Sequence, residues 1–253
     1  MNKTRVIPVL LLRGQGLVKT EKFKNPKYIG DPINAVRIFN EKEVDELVFL
    51  DISATPEGRA PNYELLADIA SEAFMPMAYG GGVTTLEQVR KIFALGFEKV
   101  IINTAAYSNL NLIVEASAVF GAQSIVGCVD VRRTMLGRYE LCSNSARTRE
   151  RASLNDHLAA LVRAGVGEIM VNSVDRDGTM TGYDLKLLRE VGVAVNVPVI
   201  ACGGAGSIDH FAQAVEQAHV SAVAAGSLFV FIGPHRAVMI NYPERQVLAE
   251  SLP

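Results

Sequence analysis

Scarcity sets the first limits on this chain. Only three cysteines occur in 253 residues, Cys128, Cys142 and Cys202. An odd number without metal-ligand spacing argues against both a disulfide framework and a structural zinc site. Cys128 and Cys202 stand in apolar runs, where an inert buried thiol is the expected state. The four histidines, His157, His210, His219 and His235, form no ligand-spaced cluster with carboxylates or cysteines, so no metal is expected and no cofactor is implied. Net charge is only −2, which lacks the basic excess that nucleic acid or an anionic membrane surface would call for. No apolar run approaches the length of a membrane span. Met1-Asn2-Lys3-Thr4-Arg5 leads into a short apolar run that Arg13-Gly14 ends, so no signal peptide is expected and the location is read as cytoplasmic. No stretch has linker composition, and 1–253 is expected to form one domain.

Hydrophobic residues are plentiful, at 49%, enough for a large core. Short apolar or β-branched runs alternate with longer amphipathic ones, the pattern of repeated βα units and a parallel sheet. Strands are predicted at 5–12, 46–51, 76–79, 98–103, 124–130, 168–173, 198–202 and 221–225. Eight βα units in a chain of this length predict a TIM (β/α)8 barrel. Helix starts are marked by Asp31 before Pro32, opening a helix over 32–43, and by Thr84 or Thr85, opening one over 86–95. Ser153, Asp184 and Ser207 precede further apolar-periodic stretches. Three long connections, 13–30, 53–60 and 131–152, each follow a strand and are therefore placed on the carboxyl-terminal face, where barrel active sites are built.

The two halves of the chain repeat each other. Pro76-Met77-Ala78-Tyr79-Gly80-Gly81-Gly82 and Pro198-Val199-Ile200-Ala201-Cys202-Gly203-Gly204 lie 122 residues apart, and the same offset carries Glu46 onto Glu168. Glycines at a strand's carboxyl end let backbone N–H groups approach an anion, and the following helix adds its positive end. Gly80-Gly81-Gly82 and Gly203-Gly204-Ala205-Gly206 hold that position. Asn103-Thr104 and Gly226-Ser227 end the next strand in each half. Tight turns alone would also use such glycines, but paired clusters at equivalent places point to a ligand with two phosphates.

Together with Asp51-Ile52-Ser53-Ala54, Asp175-Arg176-Asp177-Gly178-Thr179 and Gly182-Tyr183-Asp184, these residues closely resemble HisF, the cyclase subunit of imidazole glycerol phosphate synthase. The likeness runs from about residue 4 to 230. It implies a TIM barrel evolved from two half-barrels and a heterodimer with a glutaminase partner, HisH. Ammonia from that partner would pass along the barrel axis to a doubly phosphorylated aminoimidazole precursor. The products would be imidazole glycerol phosphate and an aminoimidazole carboxamide ribotide. By motif, Lys19, Gly82, Asn103, Thr104, Asp177, Gly178, Gly204, Ala205 and Ser227 fall at phosphate or substrate positions. Arg5, Glu46, Lys99 and Glu168 match the charged ring that gates ammonia entry at the opposite mouth. On spacing alone these four read as an ordinary surface ion-pair ring.

One departure stands out. The family mechanism resembles a two-carboxylate one, suited to chemistry in which protons are both removed and delivered. The second carboxylate is present as Asp130, a candidate acid/base whose alternative role is structural. The first strand, Val6-Ile7-Pro8-Val9-Leu10-Leu11-Leu12, carries Leu11 where the family has aspartate and Val9 where it has cysteine. Asp51, ending the second strand, is a candidate substitute. The segment Phe229-Val230-Phe231-Ile232-Gly233-Pro234-His235 also departs from the family's eighth unit. Three readings follow: a cyclase relying on Asp130, an ammonia-conducting subunit with little cyclase activity, or a phosphate-binding regulatory barrel. The resemblance extends to HisF-like paralogues found beside surface-polysaccharide genes, for which the implied ammonia acceptor is a sugar amidotransferase.

Overall fold

The computed structural model describes residues 4–252. Eight parallel strands close into a barrel: β1 Arg5–Arg13, β2 Leu47–Asp51, β3 Met77–Gly80, β4 Lys99–Ile102, β5 Ile125–Arg133, β6 Glu168–Ser173, β7 Val199–Cys202 and β8 Ala222–Ala225. Each pairs with the next, and β8 returns to β1 with Arg5 opposite Ala222. The repeat is visible in the architecture, since β3 and β7 begin 122 residues apart, at Met77 and Val199. Around the barrel lie α1 Pro32–Glu41, α2 Tyr63–Glu72, α3 Leu86–Ala94, α4 Asn111–Phe120, α5 Leu154–Ala164, α6 Leu185–Ala194, α7 Ile208–Ala218 and α8 Arg245–Ser251. Among the described residues, no helix is long and apolar enough to cross a membrane.

The helix starts follow local chemistry. Asp31 accepts from the Asn34 N–H with Pro32 in the first turn, and Thr85 and Gln88 form a reciprocal capping box. Ser153 and Asp184 cap α5 and α6 in the same way, whereas Ser207 makes no side-chain cap bond.

Alternation along each strand divides the core in two. Outward residues such as Leu10, Phe49, Tyr79 and Ile169 pack under the helices against Phe39, Ile69, Ile92 and Leu158. Inward residues fill the barrel, and the strand register stacks them in layers of four from alternate strands. Ile7, Ala78, Val126 and Ile200 form one layer. Val48, Ile101, Met170 and Ala224 form the next, and Val9, Gly80, Cys128 and Cys202 a third. Below these three lies the charged level of Glu46, Lys99 and Glu168. Above them lie Leu50, Asn103, Asn172 and Gly226.

Two of the expected connections are themselves β-structure. Residues 13–30 continue β1 into a hairpin of Gly16–Glu21 and Lys24–Gly30, with Leu11 opposite Val18. Residues 131–152 extend β5 into Tyr139–Ser143 and Thr148–Arg149, with Asp130 opposite Cys142. Only 53–60 is a chain of turns. In the eighth unit, a short hairpin of Phe231–Ile232 and Ala237–Val238 precedes the seven-residue α8. Tyr242 takes up the space beside it, tilted against Phe229 and edge-on to Phe39, and its hydroxyl donates to the Val6 carbonyl.

Candidate active site

The carboxyl ends of the strands open into a cavity of about 260 Å³. Its walls carry both glycine clusters, and the backbone explains why those positions are glycine. Gly81 and Gly82 have φ of 124° and 68°, and Gly203 and Gly204 have 86° and 119°. A Cβ on Gly81 would lie 2.4 Å from the Asp51 carbonyl oxygen, and one on Gly203 2.7 Å from that of Ser173. A Cβ on Gly82 would meet that of Ala54 at 2.9 Å, and one on Gly204 that of Arg176 at 3.0 Å. These obstacles are themselves 122 residues apart, so the two cups share one construction. Thr104 and Ser227 open the helical turns Thr104–Ser108 and Ser227–Val230 beside them. The Ser227 hydroxyl is buried and has no hydrogen-bond partner. Ala205 lines the second cup.

Lys19 and Asp177 meet at the rim as a buried ion pair at 2.7 Å. Lys19 also donates to the Thr20 carbonyl, while Asp177 accepts from the Thr20 hydroxyl at 2.9 Å and the Phe23 N–H at 3.3 Å. Lys19 is thus already paired, and the pair pins the first hairpin onto the 174–182 turn. Gly178 permits this approach, since a Cβ there would lie 2.4 Å from the Thr20 carbonyl oxygen.

Asp130 sits inside the barrel mouth. Burial pushes its carboxyl up to about 7, against the neighbouring Asn103 and Asn172 amides that favour the charged form; the charge of Asp177 adds to the rise. Asn103 donates its amide to Asp130 Oδ2 at 2.8 Å, so this side chain is turned to the carboxylate. Across the axis at the same level stands Leu11, nearly buried in the inner apolar cluster with Val18, Leu50 and Ile52 beside it. Asp51 is engaged elsewhere. Its Oδ1 accepts from the Ser53 N–H, the Ser53 hydroxyl and the Ala54 N–H, and its Oδ2 faces Arg59 at 3.4 Å. It holds its own turn, which argues against its substituting for a carboxylate at Leu11.

At the other end of the barrel, Arg5 bonds Glu46 and Glu168, and Lys99 bonds the same two carboxylates at 2.9 and 3.3 Å. The ring closes because the fourth place at this level belongs to the small Ala222, directly opposite Arg5 in the strand register. Burial opposes the charge on Arg5, but Glu46 and Glu168 outweigh it and raise its pKa. The expected site residues therefore divide into two groups at opposite ends of one axis.

Sequence reasoning missed two features. Asn172 follows Glu168 and Met170 at inward positions of β6, a two-residue alternation that was readable. Asn144, Ser145 and Ala146 form a left-handed turn, with φ of 53°, 56° and 58°, for which the residue types gave no signal. Ser145 donates its hydroxyl to the Ile52 carbonyl, and the Asn144 N–H donates to Thr104 Oγ1, fastening the second hairpin over the first cup.

The sequence profile of the family described as "Histidine biosynthesis protein" matches residues 5–233. The chain is 57% identical over 245 residues to a protein of Pseudomonas aeruginosa provisionally named imidazole glycerol phosphate synthase subunit hisF2, covering 96% of this chain and 97% of the relative. It is 47% identical over 247 residues to a Leptospira interrogans protein provisionally named as subunit HisF of the same synthase, covering 97% of each. With the imidazole glycerol phosphate synthase subunit HisF of Alkaliphilus metalliredigens it shares 40% over 225 residues, 89% of each chain.

Proposed function

Because the chain belongs to the histidine biosynthesis protein family, we propose that it is the HisF-type barrel subunit of a glutamine amidotransferase complex. In this reading a HisH-like glutaminase docks on the face bearing Arg5, Glu46, Lys99 and Glu168 and releases ammonia there. Ammonia crosses the barrel interior to a doubly phosphorylated ligand held by the two glycine cups. The observation that carries the reading is the closed charged ring on the same axis as the cavity, with three apolar layers between them. Such layers favour a small neutral molecule over a hydrated cation, because burying an unpaired charge is costly. Gly82, Thr104 and Asn103's backbone serve one phosphate; Gly178, Gly204, Ala205 and Ser227 serve the other, with the Lys19–Asp177 pair fixing the rim.

Asp130 supplies the acid/base group, and its pKa near 7 suits it to both roles. Leu11 can neither take nor give a proton, and one positioned acid or base is worth roughly 10²–10⁴-fold. Cyclisation is therefore slow in this subunit. The same substitution favours a second reading, in which the ammonia passes to a separate acceptor such as a sugar amidotransferase. The test is steady-state turnover of the purified barrel with the bisphosphate precursor and saturating ammonium salt at alkaline pH. Precursor binding is expected, with turnover about 100-fold or more below the roughly 1–10 s⁻¹ of typical enzymes. A rate within that range refutes the impairment, and failure to bind the precursor refutes the two-phosphate site.

A further inference from the structure

The level between the apolar layers and Asp130 has an unusual polarity. Asn103, the residue after β4, and Asn172 from β6 flank Asp130 from β5, and Asn172 is its direct register partner. Asn103 gives its amide N–H to the carboxylate at 2.8 Å, and Asn172 stands beside it on the neighbouring strand. An ionised carboxylate accepts and never donates. That bond therefore fixes the Asn103 amide and turns its Oδ1 away from the carboxylate. Both Asn103 Oδ1 and Asn172 Oδ1 are buried and have no hydrogen-bond partner. Asn172 as a whole is only 7% exposed. Buried carbonyl oxygens are rarely left unmade, and two at one level flanking one carboxylate call for a bound donor. Beneath them lie Val9, Gly80, Cys128 and Cys202, which offer no strong partner.

We propose that Asn103 Oδ1, Asn172 Oδ1 and the Asp130 carboxylate form a receiving site for ammonia at the point where the barrel axis enters the cavity. The site collects N–H donors and excludes groups that bring only acceptors, the reverse of the glycine cups above it. Ammonia has three N–H bonds and one lone pair. Three acceptors hold the N–H bonds and leave the lone pair free for an electrophile in the cavity. Asn172 acts here as an acceptor, through its unpartnered Oδ1. The proposal rests on the delivery of ammonia to this cavity, but its test does not need a glutaminase or any turnover.

The experiment follows the ¹³C resonance of the Asp130 carboxyl in protein labelled with [¹³C]aspartate, assigned with Asp130→Asn. Ammonium chloride is titrated at constant ionic strength against sodium chloride and tetramethylammonium chloride, which has no N–H donor. The wild type is expected to show a saturable shift and a lowered Asp130 midpoint with ammonium only. Trimethylammonium, which keeps a single N–H donor, is expected to saturate more weakly. Asn172→Leu is expected to weaken saturation about tenfold or more, and Asn172→Thr, which keeps one acceptor, less. An equal shift with tetramethylammonium overturns the site even if neither variant folds. A folded Asn172→Leu that saturates like the wild type overturns the role of that oxygen. Saturable binding without transfer from a glutaminase leaves the site standing and refutes the conduit, whereas transfer without saturable binding does the reverse.

Discussion

Asp130→Asn should make the protein more stable, and by an amount that depends on pH. Asp130 titrates near 7 in the folded chain, against 3.8 for an unperturbed carboxyl, chiefly because it is buried. Between those values the folded state holds the proton and the unfolded state has lost it. Stability therefore falls as pH rises from about 4 to about 7 and is level on either side. Three pKa units at ~1.4 kcal/mol each amount to about 4 kcal/mol, or roughly 10 °C in melting temperature for a chain of this size. Asparagine carries no proton, so the variant lacks this decline. Every other titrating group is common to both proteins and cancels in the difference. Any fixed cost of seating an amide between Asn103 and Asn172 shifts the difference equally at all pH values. Urea unfolding of both proteins at pH 4.5, 6 and 8 measures the slope directly. A difference that does not grow between pH 4.5 and 8 would refute the assignment of Asp130 as a carboxylate kept at a stability cost, the kind of sacrifice made at functional positions.

Leu11→Asp places a carboxylate across the axis from Asp130; it should lower stability by burying a second acid and raise ammonium-driven cyclase turnover by about 10²–10⁴-fold. An unchanged rate would move the defect to other residues, the 229–243 segment first. Lys99→Ala leaves Glu46 and Glu168 sharing only Arg5, and should cost less than the ~3–5 kcal/mol of breaking a fully buried pair, because Lys99 is partly exposed. Its larger effect should appear as glutamine hydrolysed without matching ammonia use when the glutaminase is present, and intact coupling would remove the gate role. Gly204→Ala puts a Cβ 2.2 Å from the Gly182 carbonyl oxygen at a φ of 119°; it should cost about 1–3 kcal/mol in backbone strain and weaken phosphate-ligand binding in calorimetry. Unchanged affinity would exclude Gly204 from the second cup.

The barrel was legible because its strands are buried on both faces and read as apolar runs, and because the 122-residue repeat supplied each half as a check on the other. The charged ring could be placed from residue position alone, since Glu46, Lys99 and Glu168 each begin or immediately precede a run. The hairpins were not legible. Lys24–Gly30 reads Lys-Asn-Pro-Lys-Tyr-Ile-Gly, and its first five residues are exposed, so no apolar alternation marks it; it is a strand because Gly16–Glu21, itself paired to β1, gives it an edge. The eighth unit was hidden for a related reason. Tyr242 fills its part of the shell through two aromatic contacts and a bond to Val6, and nothing local in Asn241-Tyr242-Pro243 foretells that. The inward place of Asn172 could be read from Glu168 and Met170, but what it faces shows only once its neighbour across the register, Asp130, is known.

The bond from Tyr242 to Val6 and the pairing of β8 with β1 have a consequence for biosynthesis. The first strand leaves the ribosome early, yet the partners of its second edge, residues 222–225, are made more than two hundred positions later. During that interval the nascent chain carries an unsatisfied ladder along Arg5–Pro8, the kind of edge that recruits other chains. Tyr242 is made later still. A transcript truncated before it would yield strands able to meet but lacking the ring that packs between Phe39 and Phe229, so the closing step of assembly depends on the part of the sequence that least resembles a barrel unit.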